Sequence, residues 1–396
     1  MPTNPLSRDL RRLLAAQLPA DFADWLDFVA IGALLAYVWQ AEPFVFALLA
    51  VSMGAPYLLI GPFAGVLVDR MATRQVLILS NLGRAVTTAA LFLAPDWPVL
   101  LALVFCRSAV DTFYTPAKQA AIQALTEPDQ RNRANGFSHA INQSSKIVAP
   151  ALGGVFLIWL APQMVFLINA LVSLLAAAMI LRLPAIGVTT AAPDENILHS
   201  IRDGMRTVRG KPVLRAALLM MAAGYFAMFF YDTLIAPLTR DLGFSQTVLG
   251  LSLAAVGAGG VAGSLVLGTT KRALKPFVWI AGGFAIGASM TVILGLSEVT
   301  STPLHVILYI ALFGILGIAS AMSVVPFRTI IQDAVSPDQI GRITALSEAI
   351  NTFALLTAPF IGAAIAATFS IGAAFIAGGL VMCGAAIRAL TLRDKS

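Results

Sequence analysis

Charge is what this sequence has least of. Only 12% of its 396 residues are Asp, Glu, Lys or Arg, where a soluble domain carries about 25%. A water-soluble enzyme or binding module is excluded on that ground. Cysteine is nearly absent. Cys106 and Cys383 lie far apart inside apolar runs, so neither a disulfide framework nor a thiolate metal site can be built. Both read as small apolar core residues. No His-Glu-x-x-His zinc pattern and no Gly-Lys-Ser/Thr phosphate loop occurs. A metal centre and ATP-driven work by this chain alone are therefore not expected, and no cofactor is implied. No nucleophile stands paired with a base at a membrane surface, so an enzyme is not expected either.

Long apolar runs fill the space that charge leaves. Hydrophobic residues make up 58% of the chain and mean hydropathy is +0.85. Twelve runs are long enough to cross a bilayer: roughly 13–39, 43–67, 76–95, 98–118, 134–160, 163–183, 213–238, 246–270, 276–297, 303–325, 340–367 and 371–391. All are expected to be helices, because in lipid each segment must satisfy its own backbone polar groups. The fold class is thus all-α and polytopic. Arg8, Arg11 and Arg12 precede a run that carries Asp21, Asp24 and Asp27, which reads as a first span that stays in place rather than a cleaved leader.

The net charge of +6 sits mostly in alternate short loops, which sets orientation and does not point to nucleic acid. Arg70, Arg74, Arg131, Arg133, Arg202, Arg206, Arg209, Lys211, Lys271, Arg272, Lys275, Arg342, Arg393 and Lys395 fall on the side of the N-terminal arginines. The opposite loops hold Glu42, Asp96, Glu298 and one base, Arg240. Both termini are expected in the cytoplasm, in a bacterial inner membrane or a plasma membrane. The longest polar segment, 184–212, divides an N-terminal six-helix bundle (1–183) from a C-terminal one (213–396). Within it, Ile197 to Val208 is expected to form a short basic amphipathic helix on the inner leaflet.

An internal repeat joins the halves. Shifted by about 209 residues, Gln123 meets Gln332, Pro128-Asp129-Gln130 meets Pro337-Asp338-Gln339, and Arg133 meets Arg342. Ala140-Ile141-Asn142 meets Ala349-Ile350-Asn351, Ala149-Pro150 meets Ala358-Pro359, and Gly153 meets Gly362. The shift joins span 4 to 10 and span 5 to 11, so the halves are parallel repeats, which implies a site between them near the midplane.

Between spans 2 and 3 lies a charged knot, Gly61 to Gln75, with Gly65, Asp69-Arg70 and Arg74. It reads as a tight turn at the membrane surface. Together with twelve spans, a six-plus-six repeat and a polar central loop, it resembles the signature of the major facilitator superfamily, with Gln75 where a second base is usual. Arg107 looks like that family's span-4 arginine, with Asp111 in place of a glycine. Gly136, Pro150, Gly153 and Gly154 in span 5 are similar to the antiporter signature, with Ser145 and Ala149 replacing two glycines. Tyr114-Thr115-Pro116-Ala117-Lys118 resembles the drug and siderophore exporters of the macrolide-efflux and enterobactin type. The resemblance implies two pseudo-symmetric six-helix bundles and an antiporter driven by protons, for efflux of a small amphiphilic molecule: a drug (hence multidrug resistance), an antibiotic or a siderophore. A monomer is expected.

A charge at mid-membrane costs about 2.5–3.5 kcal/mol on insertion scales, so each intramembrane charge needs a partner or water. Asp24 and Asp27 are neighbours on one helical face. Two close carboxylates in low dielectric cannot both stay ionised cheaply, so one is expected to carry a transported proton. The alternative is that Asp21 is a solvated end residue and Asp24 merely pairs with a base. Arg107, Asp111, Thr115 and Lys118 form one stripe down span 4. Arg107 is expected to neutralise either Asp111 or a span-1 aspartate. His139, Asn142 and Lys146 share a face of span 5, and the repeat sets Glu348 and Asn351 at twin positions of span 11.

Lys146, Asn142, Asn351, Glu348, Tyr225 and Phe229 are candidate substrate contacts, the last two in the Met- and aromatic-rich span 7. Gly65, Asp69, Arg70, Arg74 and Arg342 are candidate gating residues. Pro150, Gly153, Gly154, Pro359 and Gly362 are candidate helix-bending residues. Two other modes stay open: proton symport of an organic anion inward, and lipid or lysolipid flipping.

Overall fold

Several helix starts follow directly from capping chemistry. The Ser7 hydroxyl accepts from the Leu10 amide at 3.2 Å and opens helix Arg8–Ala33. Asp96 accepts from the Val99 amide at 3.1 Å and opens Trp97–Asp111. Ser370 does the same for Ile371–Leu390 through Ala373. Pro162 and Pro212 stand at the first position of their helices, where a missing N–H is no loss.

The computed structural model describes residues 6–127, 130–186, 206, 208–269, 276–334 and 337–391. The expected amphipathic helix 197–208 falls almost wholly outside them, as do Pro128, Asp129, Lys271, Arg272 and Lys275. Among the described residues there is no strand. Span 1 is Arg8–Ala33 continued by a π-turn, Leu34–Val38. Span 2 is Pro43–Leu59 with Gly61–Arg70, and span 3 is Thr73–Leu91. Span 4 is Trp97–Asp111 with Tyr114–Ala124; spans 5 and 6 are Arg131–Trp159 and Pro162–Ile180. Span 7 is Pro212–Phe229, a 3₁₀ turn Asp232–Leu234 and Ile235–Asp241. Spans 8 to 12 are Gln246–Thr269, Pro276–Val299, Val306–Ala334, Pro337–Thr368 and Ile371–Leu390.

Besides the break in span 2 at Ile60, spans 4 and 7 each break where a proline removes a backbone donor. Pro116 cannot donate to the carbonyl four residues back, at Thr112, and Pro237 cannot donate to Thr233. The helix is interrupted at Thr112–Phe113 and again at Phe230–Leu234. Pro150 and Pro359, by contrast, lie inside helices that run on without interruption.

Among the described residues, eight helices are long and apolar enough on their own to span a membrane. All six spans of the C-terminal half qualify, but only spans 4 and 6 of the N-terminal half do. Spans 1, 3 and 5 fall short because their interiors are polar, and the first helix of span 2 is short.

The chain forms two compact units, 1–40 with 51–192, and 41–50 with 193–396. In the second, Phe44 at the start of span 2 packs on Phe360, ring centres 5.6 Å apart. Each bundle uses the same neighbours. Span 1 packs on 5 and 6, and span 3 on 4 and 6; span 7 packs on 11 and 12, and span 9 on 10 and 12. The repeat is therefore one of packing as well as of sequence.

Gly153 and its twin Gly362 occupy equivalent crossings. A Cβ on Gly153 would lie 3.2 Å from Leu26 Cδ1 of span 1, while one on Gly362 would strike the Phe230 carbonyl of span 7. The visible role of both is close helix approach. Cys106 and Cys383 are exposed, not core residues as their apolar surroundings suggest. In a membrane protein the outward face is apolar too, so hydropathy cannot tell the two faces apart.

A test follows from the two crossings. Gly362→Ala should destabilise by about 1–3 kcal/mol, the usual cost of overpacking, because backbone blocks it. Gly153→Ala should cost less, because Leu26 can change rotamer. Thermal unfolding in nanodiscs reads the difference, and equal losses would contradict this account of the crossings.

Candidate functional site

Asp21, Asp24 and Asp27 are three residues apart along span 1. At about 3.6 residues per turn they fan across one face, and each meets a different set of neighbours. Asp27 is fully buried. Its carboxylate takes Arg107 Nε at 2.8 Å, the Asn169 side-chain amide, and the Thr88 hydroxyl at 3.4 Å. Asn169 also donates to the Ala23 carbonyl at 2.8 Å, which ties span 6 to span 1 beside the acid.

Asp24 is shared between two arginines, Arg84 of span 3 and Arg107 Nη2 at 3.2 Å. Its side chain is 25% exposed, against 1% for each of the other two. Asp21 takes Lys118 Nζ at 3.5 Å, Gln17 Nε2 at 2.6 Å and Asn142 Nδ2 at 3.3 Å. It is a buried, paired group, not a solvated helix end. Asp24, too, is paired with bases.

Arg84 is the largest fully buried side chain in the protein's described residues. Besides Asp24, its Nε lies 3.5 Å from Asp111 Oδ1 and its Nη2 donates to the Ala20 carbonyl at 2.9 Å. Among the described residues its Nη1 has no hydrogen-bond partner. Asp111 also accepts from the Tyr57 hydroxyl at 2.5 Å. Arg107 therefore serves the span-1 aspartates, and Asp111 is served by Arg84.

Four carboxylates and three cations thus lie inside one bundle: Asp21, Asp24, Asp27 and Asp111 with Arg84, Arg107 and Lys118. A fourth cation, Lys146, sits with its ammonium 5.4 Å from the Trp25 ring centre, next in sequence to Asp24. A planar guanidinium can bind two carboxylates at once. That is why two arginines can hold three acids drawn from spans 1 and 4.

Arg84 is the residue that the sequence analysis missed. The signal was present: a single base deep in the apolar run 76–95, close behind Ser80 and Asn81. The rule that flags Arg107 flags it equally. The stripe on span 4 is also corrected. The break after Asp111 turns Tyr114 inward and leaves Thr115 exposed, so the stripe continues through Tyr114 to Lys118.

The other candidates fall in three groups. Asn142 reaches Asp21, and His139 is exposed one turn away. In the other unit, Phe229 is buried against Ala354 and Ala358 of span 11, with Tyr225 half-buried beside it; Asn351 is half-buried. The side chains of Asp69, Arg342 and Glu348 lie outside the described residues.

The knot between spans 2 and 3 is mostly helix. Gly65 and Asp69 lie within Gly61–Arg70, and only Met71–Ala72 separates it from span 3. Arg70 is exposed. Arg74 donates to the Leu181 carbonyl at the end of span 6, and Arg12 to that of Arg182 at 3.3 Å. Two cations thus complement the negative end of one helix.

This fold and this polar interior are those of a membrane transporter, and comparison with known proteins agrees. The profile of the Major Facilitator Superfamily matches residues 13–310 and 225–396, and the chain belongs to that family. It is 28% identical over 395 residues to the uncharacterized MFS-type transporter YfiS of Bacillus subtilis (strain 168), covering 96% of this chain and 93% of that protein. It is 27% identical to macrolide efflux protein A of Streptococcus pyogenes, covering 83% and 82%. The crystal structure of the nucleoside transporter NupG superposes with a TM-score of 0.77 at 12% identity, covering 98% of this chain and all of that one; at that identity the likeness is one of fold.

Removing Arg84 should leave Asp24 and Asp111 without their shared cation. Arg84→Gln is expected to destabilise by about 3–5 kcal/mol, as when one partner of a buried pair is lost. Adding Asp111→Asn should recover part of that loss. Unfolding of the single and double variants in nanodiscs measures it, and strict additivity would contradict a shared charge network.

Proposed function

We propose that this transporter exports a small amphiphilic molecule in exchange for protons, and that Asp24 is the group where the proton binds. The observation that carries the reading is the contrast within span 1. Asp24 alone is partly open and is divided between two arginines, whereas Asp27 and Asp21 are closed in by fixed partners. A proton on Asp24 leaves Arg84 with Asp111 and Arg107 with Asp27. The electrostatic tie of span 1 to span 3 is then weakened, and its tie to span 4 rests on Asp27 and Asp21.

A ligand biases two states only by binding one of them better. Proton and substrate are therefore taken to compete through linked groups: Asp24, held by Arg84 and Arg107 beside Asp27 and Asp111, for the proton, and Lys146 and Asn142 for the substrate. In the other unit, Asn351, Glu348, Tyr225 and Phe229 are proposed as substrate contacts. Gly65, Asp69, Arg70, Arg74 and Arg342 are proposed to gate the cytoplasmic side, and Pro150, Gly153, Gly154, Pro359 and Gly362 to let spans 5 and 11 bend. Efflux proteins among the relatives support the outward direction.

The half-buried ammonium of Lys146 over Trp25 favours a second reading, import of an organic anion with a proton. A pH dye inside vesicles separates the two, because added substrate moves protons in opposite directions. A strain stripped of its own exporters, grown against macrolides, cationic dyes and siderophores, identifies the substrate.

In proteoliposomes with an imposed pH gradient, Asp24→Asn should abolish accumulation of that substrate but keep its exchange down a gradient. Asp27→Asn should lower thermal stability and keep gradient-driven accumulation. Accumulation by Asp24→Asn at the rate of the unaltered protein would refute the assignment. Asp69→Asn should slow transport while substrate affinity is unchanged, and an equal fall in affinity would remove Asp69 from the gate.

A further inference from the structure

Tyr114 is used by nothing described so far, yet two cations of the buried network meet on it. Its ring is buried. The Arg84 guanidinium lies 5.3 Å from the ring centre and the Lys118 ammonium 5.2 Å. These two cations belong to different acids. Arg84 holds Asp24 and Asp111, while Lys118 holds Asp21. The ring therefore stands where the Asp24–Asp111 cluster meets the Asp21 cluster.

Cation–π attraction strengthens when the pair is desolvated, and both cations here are buried. Besides Asp24, Asp111 and the Ala20 carbonyl, the ring is a further group that bears on Arg84, whose Nη1 has no hydrogen-bond partner among the described residues. The ring stands at this place because span 4 is interrupted just before it, at Thr112–Phe113. In an unbroken helix Thr115, not Tyr114, would continue the line from Asp111.

We propose that Tyr114 is a positioning residue for Asp24. Its ring holds Arg84 beside Asp24 and holds Lys118 down on Asp21, so that the two cations do not exchange acids. This rests on the reading that Asp24 binds the proton. The charged groups that bear on Asp24 are Asp21 and Asp27 on its own helix, Arg84 of span 3, and Arg107 and Asp111 of span 4. Lys146 of span 5 stands over the adjoining Trp25 ring. Of these, Tyr114 touches Arg84, and through Lys118 it acts on Asp21.

Trp25 supplies the readout. Full-length protein in nanodiscs, with Trp39, Trp97, Trp159 and Trp279 changed to Phe, is titrated with acid while Trp25 fluorescence is followed. The expected result is a transition that Asp24→Asn abolishes. Tyr114→Leu should displace its midpoint by about one pH unit or more, a tenfold change in proton affinity. Tyr114→Phe, which keeps the ring, should leave the midpoint in place. A midpoint unmoved by Tyr114→Leu, or moved equally by Tyr114→Phe, overturns the role of the ring while leaving Asp24 intact. A transition that survives Asp24→Asn overturns the reading of Asp24 and this one with it. Should Tyr114→Leu fail to fold, Tyr114→Met carries the same test, since it too fills the site without a ring.

Discussion

Everything in the N-terminal bundle depends on one constraint: an arginine cannot give up its charge, and two of them are buried among its helices. Arg84 is fully buried and Arg107 nearly so. Each must find carboxylates at that depth, and the acids must come from other helices. Asp24 and Asp27 come from span 1, and Asp111 from span 4. The pairs are stable only together, because removing any one leaves a buried charge without compensation. Such a network can be rearranged by one proton, since the acids share cations and do not own them singly.

The two bundles share a plan but not a chemistry. The same helix neighbours recur in each, and Gly153 and Gly362 mark matching crossings. Yet the C-terminal spans are all apolar enough to cross a membrane unaided, while spans 1, 3 and 5 are not. The polar cost falls on one bundle, where the packed cations and acids offset it. The C-terminal bundle instead fills its interior with side chains such as Met220, Met221, Phe277 and Phe284. Buried charge is thus gathered in the first unit, and the second is packed mainly with apolar side chains.

Much of the fold was legible because lipid leaves few choices. Long apolar runs must be helices, and the repeat around Pro150 and Pro359 recurs as matching helix neighbours in the two halves. The site was legible in part. Asp24, Asp27 and Arg107 stood out as charges in apolar runs, and they do meet. Arg84 was passed over although the same rule applies to it. The inward turn of Tyr114 follows from Pro116 four residues after Thr112, a backbone effect that a helical stripe drawn at fixed steps does not contain. The burial of Asp21 could not be read at all, because it depends on Lys118 and Asn142 arriving from other helices. Likewise Cys106 and Cys383 face outward for a reason hydropathy cannot express.

The claim that matters most is that one shared carboxylate, Asp24, exchanges its proton against substrate. The direct measurement is the number of protons released when purified, full-length protein binds its substrate in weakly buffered solution, followed with a pH dye. About one proton per substrate is expected near the pH at which Asp24 titrates, falling to none in Asp24→Asn while substrate still binds. Undiminished proton release from Asp24→Asn would contradict the account.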